Sequence, residues 1–158
     1  MTDLTLTISR QIAASPANVW RCLTEPDLLK RWFAPDPVAV PEVEIDLTPG
    51  GIFRIVMQMP GQDPMDGDPG CVLLVEPERR IVWTAALGPG FVPNPPHTNA
   101  DDFYMTADMT LEPSQGGTLY TARALHATPA AVTAHEAMGF HDGWGTTAGQ
   151  LEDLAKTL

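Results

Sequence analysis

The chain has 158 residues, with nine Lys and Arg against 20 Asp and Glu, a formal net charge of −11 and a pI near 4.5. That balance speaks against a nucleic-acid or anionic-membrane partner, since each needs a basic patch that so few cations on an acidic background do not supply. Cys22 and Cys71 are too few and too isolated for a disulfide framework or a thiolate metal site, and no apolar run reaches the length of a membrane span, so a soluble cytoplasmic protein with one domain over 1–158 is expected.

Leu4, Leu6, Ile8 and Ile12 alternate imperfectly with polar neighbours, which predicts a first strand over 4–12 with one face buried. Ser15-Pro16 then has the form of a cap followed by a first-turn proline, opening a short helix with Val19, Cys22 and Leu23 on one face. Thr24 and Asp27 have capping-box spacing for a second helix, whose apolar side carries Leu28, Leu29, Trp32 and Phe33 before Pro35 and Pro37 end it.

Strands follow. Val43, Ile45 and Leu47 alternate with Glu44 and Asp46, and Pro49-Gly50-Gly51 turns the chain into Phe53, Ile55, Met57 and Met59. After a Pro-, Gly- and Asp-rich loop over 60–70 comes a continuous apolar run, 71–75. Alternation that buries Cys71, Leu73 and Val75 leaves Val72 and Leu74 outward, as scattered surface residues or the seed of a possible homodimer. Ile81, Trp83, Ala85 and Leu87 form the next strand, and the proline-rich segment 88–102 reads as a long lid or insertion. Phe103 to Leu111 alternate cleanly, and beyond the Gln115-Gly116-Gly117 turn Tyr120, Ala122, Ala124 and His126 share one phase.

The last 31 residues, 128–158, read as one amphipathic helix capped by Thr128 and Pro129. On its wheel Ala137, Phe140, His141, Trp144, Ala148, Leu151, Leu154, Ala155 and Leu158 fall on one side, with His135, Asp142, Thr146, Gln150 and Asp153 opposite. At about 1.5 Å per residue it would run to roughly 44 Å, enough to cross a sheet. Its internal Gly139, Gly143, Gly145 and Gly149 are then expected where sheet or loop approaches closely. The predicted fold class is α+β: a curved antiparallel sheet, two short helices after the first strand, and a long terminal helix over the face that must be buried.

Several motifs that carry chemistry are absent. His135-Glu136 begins like a zinc-protease helix, but Gly139 stands where the second histidine is needed. Gly70-Cys71-Val72 lacks the second glycine of a nucleophile elbow, and Gly88-Pro89-Gly90 opens no helix to cradle phosphate. Asp63, Asp66 and Asp68 lack the closing glutamate of a calcium loop and read as a solvated acidic segment. No metal and no cofactor is expected.

Ala17-Asn18-Val19-Trp20, the stretches 30–35, 44–51 and 77–84, and Met138-Gly139-Phe140-His141-Asp142-Gly143-Trp144 together resemble the activator of heat-shock protein 90 ATPase homologue-like family of START-like, helix-grip (SRPBCC) proteins. The resemblance spans nearly the whole chain and implies a helix-grip fold with an internal cavity.

If the strand phases hold, the space between sheet and helix is lined by Phe53, Ile55, Met57, Met59, Trp83, Phe103, Met105, Tyr120 and Trp144, with Trp32 and Phe33 at one mouth. Methionines and aromatics make an adaptable wall suited to a small hydrophobic or aromatic molecule, although the same side chains could simply interdigitate as core. His126, His141 and Tyr120 are the polar groups in phase to face inward, and no catalytic role is assigned to them. His135 is expected in water, and His97 reaches a ligand only if its loop closes. Binding without catalysis is the leading expectation. A polyketide cyclase or aromatase-like activity, by analogy with other members of the superfamily, and a co-chaperone role suggested by the family name are the alternatives.

Overall fold

The computed structural model describes residues 3–99 and 102–158. Strand β1 (Thr5–Ile12) is followed by helices α1 (Pro16–Thr24) and α2 (Pro26–Leu29), then by β2 (Ala39–Ile45), β3 (Ile52–Gln58), β4 (Gly70–Glu76) and β5 (Arg80–Thr84). A short ribbon of β6 (Leu87–Gly88) and β7 (Val92–Pro93) precedes the long hairpin β8 (Met105–Ser114) and β9 (Gly117–His126), and α3 (Pro129–Ala137) and α4 (Phe140–Ala155) follow. Seven strands form one curled antiparallel sheet in the order β1-β9-β8-β5-β4-β3-β2. The predicted meander is therefore present, and β1 completes it beside β9, with Thr5 opposite Leu125 and Ile12 opposite Thr118.

Two helix starts follow their sequence. Ser15 Oγ accepts from the Asn18 N–H at 3.2 Å and Thr128 Oγ1 from the Ala131 N–H at 3.1 Å, each just before a proline. The Thr24 capping box does not form. Pro26 sits in the first turn of α2 and makes Glu25 its cap, while the Thr24 hydroxyl, still inside α1, donates back to Trp20 O at 2.8 Å. Only one turn of α2 is helical, and irregular turns carry Trp32 and Phe33 onward. The buried Trp32 indole N–H donates to Cys22 O at 2.7 Å and ties these turns to α1.

Strand β4 departs from simple alternation. Val72 pairs with Trp83 and Val75 with Ile81, and a register shift lies between Val72 and Leu74. Such an irregularity resets the side-chain phase, so Val72 and Val75 both join the core under α4, whereas one unbroken alternation puts them on opposite faces. Val72 is completely buried, and the outward Val72–Leu74 pair that motivated a homodimer contact does not exist.

The terminal helix is two helices. Gly139 adopts φ +87°, a left-handed conformation natural to glycine, and its N–H donates to Glu136 O at 3.0 Å to close α3. The glycines of α4 are not close-approach points either. A Cβ on Gly143 or Gly145 meets nothing within 4 Å, and one on Gly149 meets only the Arg10 guanidinium at 3.9 Å. Packing of the helix rests on Phe140, Ala148, Leu151, Leu154 and Ala155, all buried.

Gln150, expected in solvent, clamps α4 to the chain leaving α2. Its Nε2 donates to Trp32 O at 3.1 Å and Ala34 O at 2.9 Å, and its Oε1 accepts from the Asp36 N–H at 2.9 Å. On the other flank Glu152 accepts from Arg10 Nη2 at 3.0 Å and from the Ala13 N–H at 2.9 Å, and that backbone bond, with Arg10, holds its carboxyl below the usual range. No described helix is long and apolar enough to cross a membrane. At about 1 kcal/mol for each of its three hydrogen bonds, Gln150→Ala should lower the free energy of unfolding by about 2–3 kcal/mol in urea titrations. A loss below 0.5 kcal/mol would show that the clamp is replaced by water.

Candidate ligand pocket

Between the sheet and the α3–α4 pair lies a pocket of about 440 Å³. Strand β3 contributes Phe53, Ile55 and Met57, β5 contributes Trp83, β8 contributes Met105 and Met109, and β9 contributes Tyr120. These positions are in phase because paired antiparallel strands present alternate residues to one face. Trp32, Phe33 and Pro35 enter from the turns after α2, and Phe140, Gly143, Trp144 and Thr147 from α4. Phe53 and Trp83 stack with ring centroids 4.1 Å apart and planes 12° from parallel, and Phe33 approaches both at 6.1 and 6.2 Å. Lys and Arg are absent from the described lining, and Asp68, at an exposed position, is its one carboxylate.

Three expected wall residues lie elsewhere. Met59 is 38% exposed, one residue past the end of β3. Phe103 precedes β8 and packs on the His135 and His126 rings at centroid distances of 4.9 and 5.6 Å. His141 is exposed, because it stands about 100° round the helix from the buried Phe140, beyond the edge of the stripe formed by Phe140, Trp144, Ala148 and Leu151. The proline-rich loop is pinned rather than poised over the pocket. Asn94 Nδ2 donates to Ala85 O at 2.8 Å and Pro69 O at 3.1 Å, the Tyr104 hydroxyl donates to Pro95 O, and the His97 ring lies tilted against Tyr104 with centroids 4.0 Å apart. No residue among 88–99 lines the pocket, and Ala100 and Asp101 lie outside the described residues.

His135 is where the sequence reading fails most. Although assigned to water, it is 8% exposed and lines the pocket. Its Nδ1 lies 2.8 Å from His126 Nε2, and His126 Nδ1 lies 2.9 Å from Leu4 O. His126 has the predicted inward phase but is buried behind His135 rather than on the pocket wall. The helical wheel misled because it ran through Gly139, and the break there gives α3 its own phase, in which Ala131 and His135 share the buried side. Gly139 itself was the available signal, as a glycine just past a helical turn.

Tyr120 is 2% exposed, and burial raises its hydroxyl well above the usual phenol value. That hydroxyl has no hydrogen-bond partner among the described residues. Since no described buried side-chain oxygen or nitrogen is both sealed and unpaired, it borders open space. No described group of three or more His, Cys, Asp and Glu side chains could hold a metal ion. In the acidic loop Asp66 is instead salt-bridged to Arg54 at 2.7 Å.

Burial first, then the neighbouring His126, lowers the His135 pKa to about 4. Between the ordinary imidazole value of 6.5 and that lower value the unfolded chain binds more protons than the folded one, so this contribution is complete above 6.5 and is lost as pH falls towards 4. Urea midpoints from pH 7 to 4 should therefore fall less steeply in His135→Leu than in the unmodified protein. Equal slopes would remove His135 as their source.

The sequence model of the family described as "Activator of Hsp90 ATPase homolog 1-like protein" matches residues 13–156. Among solved structures, the crystal structure of a Nitrosomonas europaea protein shares 44% identity over 99% of this chain and 97% of that one, with a TM-score of 0.91. A Rhodobacter sphaeroides protein shares 24% identity over 99% and 95%, with a TM-score of 0.83, and an AHSA1-like protein from Aeromonas hydrophila 19% over 97% and 92%, with a TM-score of 0.70. At those identities the last two bear on the fold alone. No curated protein sequence matches. With the family match covering nearly the whole chain and the curled sheet gripping its C-terminal helix, the protein belongs to the activator of Hsp90 ATPase homolog 1-like family and has its helix-grip fold.

Proposed function

We propose that the protein binds a small hydrophobic or aromatic molecule between the sheet and α4. The observation that carries this reading is a pocket of about 440 Å³ lined by the stacked Phe53–Trp83 pair, within the size range of small-molecule sites. Met57, Met105 and Met109 add flexible side chains that can adjust to a ring system. Tyr120 offers an unpaired hydroxyl in a mostly apolar surface, which orients a ligand more than it attracts one. Gly143 is consistent with a helix face kept bare of side chains beside that space.

The observations favour binding over a cyclase or aromatase-like reaction. Of the three polar groups expected to face inward together, His141 faces solvent and both ring nitrogens of His126 are engaged, so that set does not converge with Tyr120 on one space. No observation on this chain favours a chaperone-directed role.

Naphthalene is a suitable probe, read through the indole N–H signals of Trp83 and Trp144 in NMR titrations. Naphthalene should shift both in the unmodified protein. Gly143→Leu should weaken binding at least tenfold by filling the pocket while preserving or raising the melting temperature, because leucine favours a helix interior by roughly 1 kcal/mol over glycine. Absence of any shift in the unmodified protein would defeat the proposal.

A further inference from the structure

The His126–His135 pair has a determined hydrogen order. Leu4 O is a carbonyl and can only accept, so His126 Nδ1, 2.9 Å away, carries the proton. In neutral His126 the Nε2 atom is then a bare acceptor, and His135 Nδ1, at 2.8 Å, must donate to it. This leaves His135 Nε2 unprotonated. That nitrogen has no partner among the described residues, and because no described buried side-chain nitrogen is sealed and unpaired, it borders open space. The ring is 8% exposed and belongs to the pocket wall, held by edge contacts with Phe140 and Trp144 at 5.0 and 5.9 Å and by Phe103 at 4.9 Å. An acceptor of fixed direction therefore belongs to a mostly apolar wall, in which Tyr120, Thr147 and the exposed Asp68 also carry polar atoms.

We propose that His135 Nε2 is a recognition group of the pocket and that the molecule bound there is a neutral aromatic or fused-ring compound bearing a hydroxyl or N–H donor. This rests on the ligand-binding reading above and narrows its ligand class. Anionic ligands fit poorly, since the lone pair repels a carboxylate and no Lys or Arg lies in the described lining. Burial of the imidazole disfavours its protonation, so the acceptor persists at neutral pH. Ligands that lack the donor leave this nitrogen desolvated and unpaired, which is the usual origin of selectivity at such a site. Tyr120 can donate or accept and so does not choose between ligand classes by itself.

The test compares 2-naphthol with 2-fluoronaphthalene, ring systems of closely similar shape that differ in the donor, by calorimetric or NMR titration of the full chain and of His135→Phe. The preference for 2-naphthol should fall about five- to tenfold in His135→Phe, while 2-fluoronaphthalene affinity changes by less than twofold. A preference unchanged in His135→Phe, or one lost only in Tyr120→Phe, would overturn the proposal and leave the ligand-binding reading standing. Binding of neither compound to the unmodified protein would overturn both. A measurement without substitution guards against a misfolded variant: nitrogen-15 spectra of the histidine rings should show His135 Nε2 as an unprotonated nitrogen whose resonance moves on addition of 2-naphthol but not of 2-fluoronaphthalene. A protonated Nε2 in the free protein would refute the proposed hydrogen order.

Discussion

A single left-handed residue organises the covered face of the sheet. Gly139 at φ +87° ends α3 and lets α4 restart in a new direction. For a residue with a Cβ that conformation costs roughly 1–2 kcal/mol, so the break belongs to the position and not to chance. Because of it, α3 turns His135 towards β9, where His126 waits, while α4 lays Phe140, Ala148 and Leu151 on the sheet. A continuous helix through 128–158 would leave His135 opposite that stripe. The pocket wall, the histidine pair and the seating of α4 all depend on this one torsion.

The sheet supplies the other half of the constraint. The register shift in β4 keeps both Val72 and Val75 on the buried face, and a second shift, between Ala39 and Glu42, lies in the β2–β3 pair. Irregularities of this kind bend a strand and increase its local twist, consistent with a sheet that curls around α4. Curling leaves a space that the side chains do not fill near Phe53 and Trp83, whereas at the other end of α4 Leu151 and Leu154 pack among Ile12, Val19 and Leu23. One end of the helix thus resembles a core and the other a vessel.

Two polar clamps hold α4 between those ends. Gln150 satisfies two carbonyls and one N–H of the chain after α2, and Glu152 joins Arg10 and the backbone of Ala13. The gain over water from each bond is small, but leaving the carbonyls of Trp32 and Ala34 without a partner would cost more than the bonds contribute. Their placement also fixes the turns that bring Trp32 and Phe33 to the pocket, so the clamp that stabilises the helix also shapes the mouth. The outer face of the sheet has a comparable device, where nearly buried Asp108 is held between Arg80 and Arg123 at 2.9 and 3.4 Å.

The amino-acid sequence by itself determined the order of the main-sheet strands and of the two short helices after the first, the two proline-led helix caps, the antiparallel meander, and most of the aromatic and methionine wall. Those features follow from local periodicity and turn chemistry, which neighbouring residues carry within a few positions. It also contained Gly139, but not the consequence, since a wheel drawn through a break assigns His135 to the wrong side; Gln150 does lie off the apolar stripe of α4, and only the turns after α2 that pack there engage it. Only the tertiary structure decided the phase of β4 after its irregularity, the exposure of His141 and Met59, and the meeting of His126 with His135. Each depends on where one element ends against another, and a period of two or 3.6 residues carries no information across such an interruption.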